Sequence, residues 1–73
     1  MKLYKEIITP ENVILPQPEF IMESQSRDEL KHKAESLAAR DYGLKEFVWD
    51  FEGNDKGYTQ LVVNNQYRFV IRP

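Results

Sequence analysis

The chain has no cysteine, one histidine and three glycines among its 73 residues. Without cysteine there are no disulfides and no thiolate metal sites, and His32 alone leaves no set of imidazole ligands. Gly43, Gly53 and Gly57 are scattered, so no glycine-rich loop is present to cradle a phosphate. No stretch approaches the ~20 apolar residues of a membrane span. The opening MKLYKEIITPEN has no apolar run of signal-peptide length, and with the missing cysteines this gives a cytosolic expectation. Ten basic and twelve acidic side chains leave a net charge of −2, so the chain as a whole lacks the basic footprint of a nucleic-acid binder.

Large side chains are not in short supply. One Trp, four Tyr and four Phe within a 41% hydrophobic composition can fill a small core, which argues against disorder. One domain over residues 1–73 is expected, close to the size at which a single core offsets ordering costs of about 1.5 kcal/mol per residue.

The most legible stretch is Ser24 to Leu44. Ser26 followed three residues later by Glu29 reads as a capping box, with the hydroxyl taking a first-turn amide and the carboxylate reaching back to the amide of Ser26. Asp28 and Glu29 suit the positive end of the helix dipole. Leu30, Ala34, Leu37 and Ala38 form one narrow apolar stripe, and Gly43 stops the helix as a left-handed cap with Leu44 folding back. His32 lies off that stripe, where a solvated surface residue is expected.

Leu3, Tyr4, Ile7 and Ile8 fit a strand or a short helix; the β-branched end, Ile7 to Thr9, and the missing N-cap favour a strand. Pro10, Pro16 and Pro18 then impose an extended connection, in which Asn12 to Leu15 is apolar enough to pin to the core or add an edge strand. Phe20 to Met22 form a second strand leading into the helix. Lys45 to Phe51 alternates, with Phe47, Trp49 and Phe51 toward the helix and Glu46, Val48 and Asp50 away from it. Tyr58 to Val63 and Tyr67 to Arg72 make a hairpin around Asn64-Asn65-Gln66. A three-residue loop pairs Val63 with Tyr67, Leu61 with Phe69 and Thr59 with Ile71, which collects one apolar face and so sets the register. The expected fold is α+β: a single helix on one face of a curved antiparallel sheet, in the order β-β-α-β-β-β.

No nucleophile with a base, no paired carboxylates and no metal-ligand spacing stands out, so neither a catalytic residue nor a cofactor is expected. Asp50, Glu52 and Asp55 match no calcium loop, and Lys56 sits among them. They read as a solvated turn or as an acidic patch for a basic partner surface. The face away from the helix carries Tyr58, Gln60, Val62, Arg68, Val70 and Arg72, an apolar strip with basic flanks. It is a candidate recognition surface for another protein or for a second copy of the chain, with Asp50 and Glu52 as further partner-binding candidates. Too few stacking aromatics accompany the basic residues for direct nucleic-acid binding.

Phe20 to Ser26, FIMESQS, with Leu30-Lys31, Ala34 and the aromatic run Phe47 to Phe51, resembles very small phage and mobile-element proteins, some anti-CRISPR inhibitors included. The resemblance implies a non-enzymatic protein that binds a host defence nuclease complex stoichiometrically and blocks its nucleic-acid channel or its movement. It transfers no functional residue, because the matching positions cap and pack the helix. The alternative expectation is a structural or accessory protein that homo-oligomerises through the open sheet face. A small enzyme or metal-dependent regulator is the weaker third.

Overall fold

A computed structural model of the chain describes residues 1–8, 18–52, 57–64 and 66–73. The proline-bounded connection with Asn12 to Leu15, and the turn at Gly53, lie outside these residues. In chain order the elements are β1 (Lys2–Ile7), β2 (Glu19–Glu23), α1 (Arg27–Tyr42), β3 (Trp49–Asp50), β4 (Thr59–Val62) and β5 (Tyr67–Arg72). The strands form one open sheet in the order β2-β1-β5-β4-β3, with every neighbouring pair antiparallel. The fold is α+β, as the periodicities predict, with the first and last strands paired near the middle of the sheet.

The helix packs through its narrow stripe. Leu30, Ala34 and Ala38 are buried and Leu37 is half-buried, whereas His32 is exposed. Two alanines let the helix approach the sheet closely, so the bulk of the core comes from the strands: Leu3, Leu61, Phe69 and Ile71. At the N-terminus the Ser26 hydroxyl accepts from the Glu29 amide at 3.2 Å. The reciprocal half of the expected capping box is supplied differently, because the Ser26 amide donates to the Ser24 hydroxyl at 3.0 Å. A serine two residues back reaches that amide through a short side chain, so Glu29 contributes through the dipole rather than through the box. At the other end Gly43 adopts φ 68°, and the Gly43 and Leu44 amides donate to the carbonyls of Ala39 and Ala38.

Tyr42, the last helical residue, stacks on Tyr67 at 4.9 Å between ring centroids. The Lys5 ammonium lies 5.1 Å from the Tyr42 ring and 4.8 Å from the Tyr67 ring. Hydrogen bonding to Tyr42 raises the Lys5 pKa above its ordinary value, against the opposing effect of partial burial.

The hairpin has the predicted register, Thr59↔Ile71 and Leu61↔Phe69. Its turn is tied by Asn64, whose Oδ1 accepts from the amides of Gln66 at 2.7 Å and Tyr67 at 3.0 Å. On the β1–β2 edge a bulge shifts the pairing from Leu3↔Met22 to Tyr4↔Phe20. The extra residue lets both Ile21 and Met22 pack toward the helix and places Phe20 edge-on to Tyr4 at 5.8 Å.

The third strand departs most from expectation. Lys45 to Phe51 reads as seven alternating residues, yet only Trp49 and Asp50 pair with β4. Phe47 and Trp49 pack against the core as predicted. Phe51 does not, because its φ of 69° puts a bulky residue in the left-handed region and ends the strand. That single reversal breaks the alternation. The Phe51 ring lies edge-on to Tyr58 at 5.4 Å, and Glu52 turns to the helix, where it pairs with Lys31.

Candidate functional site

The sheet face opposite the helix is where sequence reasoning puts recognition. Register carries most of the predicted residues there. Gln60 faces Val70, Val62 faces Arg68 and Asp50 faces Gln60, while β1 adds Lys2, Tyr4 and Glu6 beside Arg72, Val70 and Arg68. Tyr58 joins them, since its ring lies 5.5 Å from the Arg68 guanidinium carbon and 5.2 Å from that of Arg72. Glu52 is the exception, drawn to Lys31 by the turn at Phe51.

The character of this face differs from the expected apolar strip with basic flanks. Val70 is 0% exposed, Glu6 3% and Arg68 8%. Arg68 donates from Nε at 2.7 Å and from Nη2 at 2.6 Å to Oε1 of Glu6, and from Nη1 at 2.6 Å to Oε1 of Gln60. Longer contacts extend the chain at each side: Gln60 Nε2 to Asp50 Oδ2 at 3.4 Å, and Arg72 Nη2 to Glu6 Oε2 at 3.4 Å. One connected set of charged and amide groups thus crosses β1, β5, β4 and β3.

Two corrections follow for the candidate residues. Val70 is not part of an accessible strip, because it lies between Tyr4 and Gln60 across the sheet and between Arg68 and Arg72 along its strand. Arg68 is not a free cation, because Glu6 neutralises it in a buried, hydrogen-bonded pair. Of its apolar side chains, Val62, 44% exposed, and Val48, 68% exposed, stay accessible at the corner where β3 meets β4, and Phe20, 54% exposed, at the opposite edge beside Tyr4. The Trp49↔Leu61 register continued by one residue sets the two valines opposite each other. Arg72 is half-exposed at the far end of the same face.

Three contributors were missed. Glu6 reads only as a polar residue in an ambiguous strand; its role needs β1 beside β5, a pairing between the two ends of the sequence. Glu35 and Lys31, one helical turn apart, clasp β3. Glu35 Oε2 accepts from Trp49 Nε1 at 2.9 Å, and Lys31 lies 5.6 Å from the Trp49 ring. The i, i+4 spacing of a cation and an anion is visible in sequence, but not that a tryptophan stands over them.

Among the described residues no buried side-chain nitrogen or oxygen lacks a partner, and no cluster of three potential metal-ligating acids or histidines occurs. No helix there is long and apolar enough to cross a membrane. Compared with known proteins, the chain matches no family model, no curated protein and no solved structure.

Proposed function

We propose that the chain is a non-enzymatic protein-binding module that acts by stoichiometric occlusion of a partner through the sheet face opposite the helix. The observation that carries this reading is the exposed pair Val48 and Val62 beside a polar lattice that is already satisfied within the chain. Groups hydrogen-bonded to one another take their partners with them into an interface, so covering them costs less than covering free charges. The apolar pair then contributes favourable area at its centre. Neutralisation of Arg68 by Glu6 supports a protein rather than a nucleic-acid partner. The specific form implied by the sequence resemblance is an anti-CRISPR-like inhibitor that blocks a host defence nuclease complex.

Size-exclusion chromatography with light scattering tests this on the chain alone and mixed with candidate nuclease complexes. The expected result is a stoichiometric complex that is lost when Val48 and Val62 are both replaced by Glu. Arg68 is unsuitable for the same test, since Arg68→Glu would set two carboxylates together and unfold the sheet. A second reading uses the same two valines: they lie at the short edge strand β3, where another copy of the chain can dock. A salt-resistant homodimer, broken by the same double substitution and indifferent to the nuclease, would replace the first reading with this one.

A further inference from the structure

At the end of the sheet beside the helix N-terminus the surface holds a hollow of about 300 Å³, bordered by Arg27, Phe51, Tyr58, Thr59, Ile71 and Arg72. Its walls have a clear division of labour. Ile71 and Thr59 are buried and form the floor, while the Phe51 and Tyr58 rings meet edge to face at one side. The left-handed backbone at Phe51 is what brings that ring to Tyr58, and such strain persists only where surrounding contacts hold it.

The two arginines differ from Arg68. Arg72 commits one N–H to Glu6 at 3.4 Å and stacks its guanidinium over Tyr58, leaving other donors unused. Among the described residues the Arg27 side chain has no hydrogen-bond or ion-pair partner, and it sits exposed in the first helical turn, where a cation opposes the helix dipole. Among the described residues, Glu6 is bonded chiefly to Arg68 and Glu52 pairs with Lys31. Asp28 and Glu29 share the turn of Arg27, so the positive field is local to the two guanidiniums.

From these features we infer that the hollow is an anchor pocket for an acidic segment of a protein partner, one that lowers an aromatic or aliphatic side chain onto Ile71 and sets flanking carboxylates against Arg27 and Arg72. This rests on the protein-binding reading and names the chemistry of the partner. The geometry favours a peptide over a small molecule. The hollow is at the lower end of the 300–1,000 Å³ typical of ligand sites, and its cations stand at the rim, where the flanks of a docked segment lie. Aromatic and arginine side chains around a pocket are also the usual makings of an interface hot spot.

The test is an amide NMR titration of the chain with the blocked peptide Glu-Asp-Phe-Asp-Glu. Expected are shifts confined to Arg27, residues 57–59 and residues 71–72, with affinity reduced about three- to tenfold by Arg27→Glu. That substitution removes no side-chain hydrogen bond or ion pair among the described residues and suits the helix dipole, so the spectrum of the free protein should otherwise be preserved. No shift at these amides, an equal response to a peptide with lysines in place of the acids, or no effect of Arg27→Glu would overturn the proposal. So would phenylacetate binding as tightly as the peptide, which would make the hollow a small-anion site. Failure here is separable from failure of the module reading. A nuclease complex that co-elutes undiminished with the Arg27→Glu protein overturns the pocket alone, whereas no co-elution of the unaltered chain overturns the reading beneath it.

Discussion

The two faces of the sheet bury their centres equally well by opposite means. On the helix side Leu3, Leu61, Phe69 and Ile71 meet Leu30, Ala34 and Ala38, and what holds them is volume fit between apolar groups. On the other side Val70 is as inaccessible as Phe69, yet its neighbours are Glu6, Arg68, Gln60 and Arg72, and what holds them is pairing. A packed apolar face degrades gradually as atoms are removed. A paired polar face fails when one partner goes, because the other is left buried and charged.

The largest effect should come from breaking that pair. Glu6→Ala is expected to destabilise by about 3–5 kcal/mol, close to the total stability of a domain this small, whereas Glu6→Leu combined with Arg68→Met should recover most of the loss. Urea denaturation of the three proteins checks this; a double variant no better than Glu6→Ala would show that the lattice acts by packing, as the helix side does. Leu3→Ala, on the apolar face, should cost about 2–5 kcal/mol and find no such single partner for rescue.

Val62 and Val70 look equivalent in sequence, both alternate residues of the hairpin on one face. Val70→Asp should unfold the chain, since it buries an unpaired carboxylate at a cost of several kcal/mol, while Val62→Asp should shift stability by no more than about 0.5 kcal/mol. Circular dichroism melts separate the two at once, and similar melting temperatures would contradict the buried position of Val70. At the helix N-terminus Ser26→Ala is expected to cost about 1 kcal/mol. Glu29→Gln should cost less, since the Ser24 hydroxyl already serves the Ser26 amide; equal losses would restore the full capping box.

The smallest effect concerns pH. Lys5 has its pKa raised in the folded state, so the stability it contributes is fully present below its ordinary value of 10.5 and is lost as pH rises through the raised folded value. The difference in melting temperature between the unaltered chain and Lys5→Met should therefore narrow across that range. A gap that stays constant would mean the ammonium adds no charge-dependent stability.

Much of the architecture was legible because local rules agreed with one another. Ser26, the Leu30-Ala34-Ala38 stripe and Gly43 mark both ends and the buried face of the helix, and the apolar parity of Thr59, Leu61, Phe69 and Ile71 selects one hairpin register. The candidate site was legible only as a set of residues sharing a face. Alternation places Gln60, Val62, Arg68 and Val70 together, but it says nothing of which neighbour strand completes the surface. It also fails at Phe51, where a left-handed residue ends the strand and Glu52 turns to Lys31 of the helix.

By itself, then, the sequence determined the element order, the helix limits, the hairpin register and the face on which each strand residue of β4 and β5 falls, since all of these depend on neighbours within a few residues or across one turn. Only the tertiary structure decided that β1 lies against β5, and with it that Glu6 takes the charge of Arg68 and that Val70 is enclosed. Those outcomes depend on contacts between residues more than sixty positions apart, for which a local pattern carries no signal. An arginine on a strand reads the same whether it faces water or a buried carboxylate. Its meaning is set by the strand laid beside it.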